Sequence, residues 1–285
     1  LRLLKRDHQL IIGGNIGKPG ALIGAGLSAA GAAFQGLFRN PMVSPDLLGA
    51  SSGAGFGAAV SLFLGLNYVT VTLNSFIWGT VAVILAYLIS TRVRQNPTLG
   101  MVLAGIMISS LFTSGTSFIK LVADPNNVLP AITYWLMGSI AGVSAEGLRF
   151  AAVPIICGMA VLLVVRWKIN LVTMGEDEAR SMGVNTKAVR ILVILAATLV
   201  TAACVSISGL IGWVGLLIPH FARLIVGYDY RVMMPASMLL GAGFLVLVDD
   251  FARMLVTSEI PIGVLTAFIG APFFLSLILK KGGSI

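Results

Sequence analysis

The chain has 285 residues, of which 57% are hydrophobic and only 11% charged, with a mean hydropathy of +0.98 and a net charge of +8. Too few charges remain to coat a water-soluble core of this size, which excludes a soluble globular protein and makes lipid the main solvent of the outer surface. The positive balance does not call for nucleic acid, because the basic residues stand singly or in pairs at the ends of apolar runs, as in loops that flank membrane spans.

In hydrocarbon a backbone must satisfy its own hydrogen bonds, so these runs are read as helices, and the alternation of barrel strands is absent. The fold class is therefore all-α, a polytopic transmembrane helical bundle in one domain over 1–285. No cleavable signal peptide is visible ahead of the polar stretch that includes Arg2, Lys5 and Arg6. About nine spans follow, at 21–37, 47–66, 70–90, 99–122, 148–165, 188–208, 210–226, 232–256 and 260–279. The stretch 124–146, with Pro125 and Pro130 around a short apolar run, is too short to cross and is read as an outer or re-entrant helix. Between the fifth and sixth spans lies a polar island, TMGEDEARSMGVNTKAVR from Thr173 to Arg190.

Alternating these spans across a bilayer sorts the charges. One side collects Arg39, Arg92, Arg94, Arg166, Lys168, Arg180, Lys187, Arg190, Arg223, Arg231, Lys280 and Lys281; the other holds Lys120, Arg149 and Arg253. The excess puts the polar island in the cytoplasm, although Arg2, Lys5 and Arg6 fall on the outer side. The island reads as a short helix at about 173–184. Thr173 and Glu176 have capping-box spacing, Glu176, Asp177 and Glu178 fill the first turn, Arg180 follows Glu176 by four residues, and Gly183 ends it. Such a helix is either a solvated loop or a surface that docks a partner.

Other signals are structural. Gly49, Gly53, Gly57, Ser61 and Gly65 repeat every four residues and form a ridge on which a neighbouring backbone can pack closely. Cys157 and Cys204 both lie in apolar runs, which points to buried small hydrophobes and to no metal site. No phosphate-binding loop is present, since GNIGKPG carries Pro19 where Ser or Thr is needed, so the chain has no ATP site and no catalytic residues of its own. His220, after Pro219, is read as a hydrogen-bonded structural residue. Asp249 and Arg253 are spaced to pair on one helix face. Asp249 or Asp250 could alternatively serve as the proton or sodium relay of an ion-gradient-driven secondary transporter.

Five ordered blocks carry a resemblance. They are GAGLSAAGAAFQGLFRNPMVSPDLLGASSGAG from Gly24, WLMGS from Trp135, MGEDEARSMGV from Met174, GLIGWVGLLIPHFAR from Gly209 and EIPIGVLTAFIGAPFF from Glu259. Together they resemble the permease subunits of the ABC importers for vitamin B12, haem and iron-siderophore complexes, the type II importers. The resemblance implies a permease that moves a metal chelate, or an oxyanion such as molybdate, across the bacterial inner membrane by alternating access. It implies a second copy of the chain, two cytoplasmic ATPase subunits that hold ATP and Mg, an extracytoplasmic binding protein, and no cofactor in this chain.

The polar island then corresponds to the coupling helix, with Glu176, Asp177, Glu178, Ala179, Arg180, Met182 and Gly183 as the contacts to the ATPase. Arg253 matches an outer arginine that meets carboxylates of the binding protein, and Arg2 and Lys5 are further docking candidates. Two departures accompany the match. Members of the group carry about ten spans, so one is expected to be missing before Leu1. The stretch KRDHQLIIGGNIGKPG is also more polar than the pattern would have it.

Overall fold

A computed structural model describes residues 17–93, 97–254 and 260–282. The described chain is helical throughout: α1 Gly17–Leu37, a single 3-10 turn Pro45–Leu48, α2 Ala50–Phe63, α3 Tyr68–Ser90, α4 Pro97–Val122, α5 Val128–Met137, α6 Ala145–Met174, α7 Glu176–Ser181, α8 Thr186–Ser208, α9 Val214–Val226, α10 Tyr230–Met254 and α11 Ile262–Gly282. Six of these, α1, α3, α4, α6, α8 and α10, are long and apolar enough to cross a membrane.

Two predicted spans are broken. The run 47–66 divides at Gly49, whose left-handed φ of 85° caps both the 3-10 turn and α2, leaving a helix of 14 residues. The run 210–226 starts with an irregular stretch between Gly209 and Trp213, leaving α9 with 13 residues. At ~1.5 Å per residue each helix rises about 20 Å, short of the roughly 30 Å hydrocarbon core, so α2 and α9 are half-depth helices. Hydropathy is blind to this break because the connecting residues are themselves apolar. The re-entrant reading of 124–146 holds better: α5 has only 10 residues, and the backbone after it ties back into the bundle where Ser139 N–H donates to the Ser208 carbonyl at 2.8 Å.

The centre of the bundle is α1, wrapped by α6, α8, α9 and α10. Its small residues permit this enclosure. A methyl group on Gly24 would strike the carbonyl of Gly241 in α10, and one on Gly31 would strike the carbonyl of Gly215 in α9, so backbone meets backbone at both crossings. The predicted glycine ridge works the same way. Gly53 and Gly57 lie against Trp78 and Asn74 of α3, and the Ser61 hydroxyl donates to the Gly57 carbonyl at 2.9 Å while accepting from Asn74 Nδ2 at 2.8 Å. Gly49 is the cap, packed near Ser109 of α4, and Gly65 faces open space.

Candidate functional site

These crossings align the helices so that the basic residues share one end of the bundle. Gly36 of α1 abuts Ile169 of α6 and Tyr230 of α10, Arg223 of α9 reaches Gln35 of α1, and Arg190 of α8 reaches Glu176 of α7. The described basic residues Arg39, Arg92, Arg166, Lys168, Arg180, Lys187, Arg190, Arg223 and Arg231 all belong to chain segments at this end, as the sidedness argument requires. Arg94 lies outside the described residues.

At this end α7 stands out from the bundle as a six-residue helix between the two long helices α6 and α8, which pack along each other. Its start differs from the capping-box expectation. Helix α6 continues to Met174, so Thr173 is helical and its hydroxyl donates to the Asn170 carbonyl at 2.6 Å. Gly175 makes the joint instead, with φ 150°, and no side chain caps α7. The other end is as expected. Gly183 is left-handed at φ 81°, its N–H donates to Arg180 O at 2.9 Å and Val184 N–H donates to Ala179 O at 2.9 Å, a glycine-stopped helix end.

Burial divides the predicted contact residues. Ala179 is fully buried, so it anchors α7 against the core and is withdrawn as a surface contact; an alanine on the inner face of a short amphipathic turn is packing. Asp177, Glu178 and Met182 face outward, with the Asp177 side chain 95% exposed, and Gly183 lies in open space beside them. Arg180 is half-exposed and pairs with Glu176 at 3.2 Å in the predicted i, i+4 arrangement, with Asp177 at 3.7 Å. Glu176 also pairs with Arg190 of α8, and Arg180 Nε donates to Thr186 Oγ1 at 3.3 Å. Both carboxylate oxygens of Glu176 are therefore engaged within the chain.

Two clefts flank this element. One, of about 320 Å³, is lined by Arg39, Glu176 and Arg190 above Leu37, Leu99 and Val172. The other, of about 350 Å³, is lined by Trp167, Lys168, Met182, Gly183 and Asn185. Helix α7 thus presents an exposed acidic and methionine face between two clefts.

The residues behind α7 were not singled out from sequence. Asn170, one turn before the end of α6, donates through Nδ2 to Asp229 Oδ1 at 3.2 Å and accepts from Tyr230 N–H at 3.3 Å. Asp229 in turn caps α10 by accepting from Arg231 N–H at 2.9 Å. The hydrogen bonds and charge of Arg231 hold the Asp229 carboxyl below the ordinary aspartate range. An Asn near the end of one helix and an Asp at the N-cap of another give a sequence signal for each alone, but none for their meeting. Deeper in, the Arg223 guanidinium is bonded by Gln35 Oε1, and Gln35 Nε2 donates to the Leu216 carbonyl at 3.2 Å, so α1 and α9 are joined through buried polar groups.

The opposite end holds the other candidates. Arg253 pairs with Asp249 at 3.1 Å, as its spacing predicts, and Asp249 is buried while Asp250 is exposed. A buried carboxylate tied to a guanidinium on its own helix is poorly suited to shuttle ions. His220, on α9, lies edge-on to Phe273 of α11 at 6.3 Å between ring centroids. Arg2 and Lys5 lie outside the described residues. Among the described residues no group of His, Cys, Asp and Glu is placed to hold a metal ion.

A family model described as the FecCD transport family matches residues 19–280. The chain is 40% identical over 263 residues to the molybdate import system permease protein MolB of Haemophilus influenzae, an alignment that covers 92% of this chain and 78% of the relative. It is likewise 40% identical over 263 residues to the cobalamin import system permease protein BtuC of Halobacterium salinarum, covering 92% and 70%. Among solved structures, an inward-facing conformation of a metal-chelate type ABC transporter superposes with a TM-score of 0.86 at 39% identity, covering 92% of this chain and 85% of that one.

Proposed function

The chain belongs to the FecCD transport family, and from that premise we propose that it is the multi-pass permease of an ABC importer whose power stroke enters through α7. The solute is a metal chelate or a related anion, in line with relatives named for cobalamin, iron chelatin and molybdate import. Two copies of the chain enclose the path in a bacterial inner membrane, two cytoplasmic ATPase subunits bind ATP and Mg beneath them, and an extracytoplasmic binding protein delivers the solute to the end that carries Arg253. ATP-driven closure of the ATPase pair displaces α7, and the packed helices behind it tilt as rigid groups so that the path changes its open side.

The observation that carries this reading is the build of α7: anchored by Ala179, glycine-jointed at both ends, and presenting Asp177, Glu178 and Met182 outward at the basic end. An ion-gradient mechanism finds no comparable support, since Asp249 is buried in its pair with Arg253. The test is a purified permease carrying Asp177→Arg and Met182→Glu together, reconstituted with its ATPase and binding protein. Both positions are exposed, so the variant should fold, while capture of the ATPase and ATP-dependent uptake should each fall by about tenfold or more. Undiminished uptake, or uptake by the wild type without any ATPase, overturns the reading.

A further inference from the structure

Helix α7 is held unequally by its two neighbours. Toward α6 the connection is Gly175, at φ 150° and without a side chain, over which the Glu178 carboxylate lies where a methyl group would need to be; no side-chain hydrogen bond or ion pair between described residues links α7 to α6. Toward α8 the connection is polar and repeated. Glu176 Oε1 meets Arg190 in the second turn of α8, Glu176 Oε2 meets Arg180, and Arg180 Nε meets the hydroxyl of buried Thr186 at the start of α8. Val184, between the two helices, is buried as well. The Arg190 side chain is only 19% exposed, so this pairing is screened far less than an ion pair in open water.

We infer that Glu176 is a positioning residue and not a contact to the ATPase: it locks α7 to α8, so that displacement of α7 enters the bundle through α8 and not through the Gly175 joint. This rests on the coupling role proposed above. The geometry gives the division of labour within one short helix. Glu176 has both oxygens engaged by arginines of its own chain, while Asp177 beside it is turned out, its side chain 95% exposed. Helix α8 is the suitable recipient, since it packs on α1, α3 and α6 and is itself largely enclosed.

The test uses Glu176→Gln, with Arg190→Met and the conservative Arg190→Lys beside it. In the purified permease alone, amide exchange at Met182 and Val184, whose N–H groups bond to Glu178 O and Ala179 O, should quicken about tenfold in Glu176→Gln and Arg190→Met, and much less in Arg190→Lys. Unchanged exchange overturns the lock. In the reconstituted assembly, Glu176→Gln should capture the ATPase within about twofold of the wild type yet import about fivefold less solute per ATP hydrolysed. Loss of capture as complete as in the Asp177→Arg, Met182→Glu variant would make Glu176 a contact and overturn the assignment. Because the exchange measurement needs no partner, failure of the coupling role itself would register separately, as a wild-type permease that captures no ATPase.

Discussion

At the scale of single residues, the charges near hydrocarbon sort by whether they have a partner within the chain. Asp249 is 3% exposed and Arg253 only partly so, and each is tolerable there because of the other. Asp249→Ala should therefore destabilise the protein by about 3 kcal/mol, at the low end for breaking a buried pair because Arg253 retains some access to water. Unfolding in graded detergent mixtures would measure it. The i, i+4 spacing made this pair legible in the sequence, as it did Glu176 with Arg180. The pairing of Glu176 with Arg190 was not legible, because it crosses the turn at Gly183, and no periodicity links residues on either side of a left-handed glycine. Ala179 shows the reverse error: a family motif names which residues recur in a segment, not which of them face inward.

At the scale of elements, the sequence signalled helix type well and helix length poorly. Apolar runs at 47–66 and 210–226 look like full spans because Gly49 and the stretch 209–213 break the helix without lowering hydropathy. Trp213, left-handed at φ 70°, has no local signature at all; its conformation follows from packing its indole against Gly270 of α11. Element ends also decide how α6, α7 and α10 meet. The Asn170–Asp229–Arg231 cluster caps α10 and ties it to α6 beneath α7. Arg231 lowers the folded-state pKa of Asp229, so the cap contributes above the unfolded aspartate value of about 4 and is lost as pH falls through the lower folded value. Amide exchange at Arg231, corrected for intrinsic rate, should thus stay slow and level from pH 8 to 5 and quicken only in stronger acid. Asp229→Asn, which does not titrate but keeps an amide oxygen to accept the Arg231 N–H, should abolish that acid onset and leave the amide protected, whereas Asp229→Ala should remove the protection at every pH.

At the scale of the whole molecule, the bundle is organised around glycine crossings on α1. Replacing Gly31 by Val would drive a side chain into the Gly215 carbonyl, where rigid backbone cannot yield, and no folded, monodisperse permease should be recovered by size exclusion. Gly243→Ala on α10, where no atom lies within 4 Å of the added methyl group, should elute and melt as the wild type does. The enclosure of α1 has a bearing on synthesis. Its most apolar window is 83% buried by protein and has a mean hydropathy of only 1.3, the lowest of the six long helices, with Ser28 and Gln35 among its buried residues. Yet the segments that cover it, α6 and α8 to α10, leave the ribosome about 110 or more residues later. During elongation, then, α1 waits without the helices that enclose its Ser28 and Gln35 in the finished bundle.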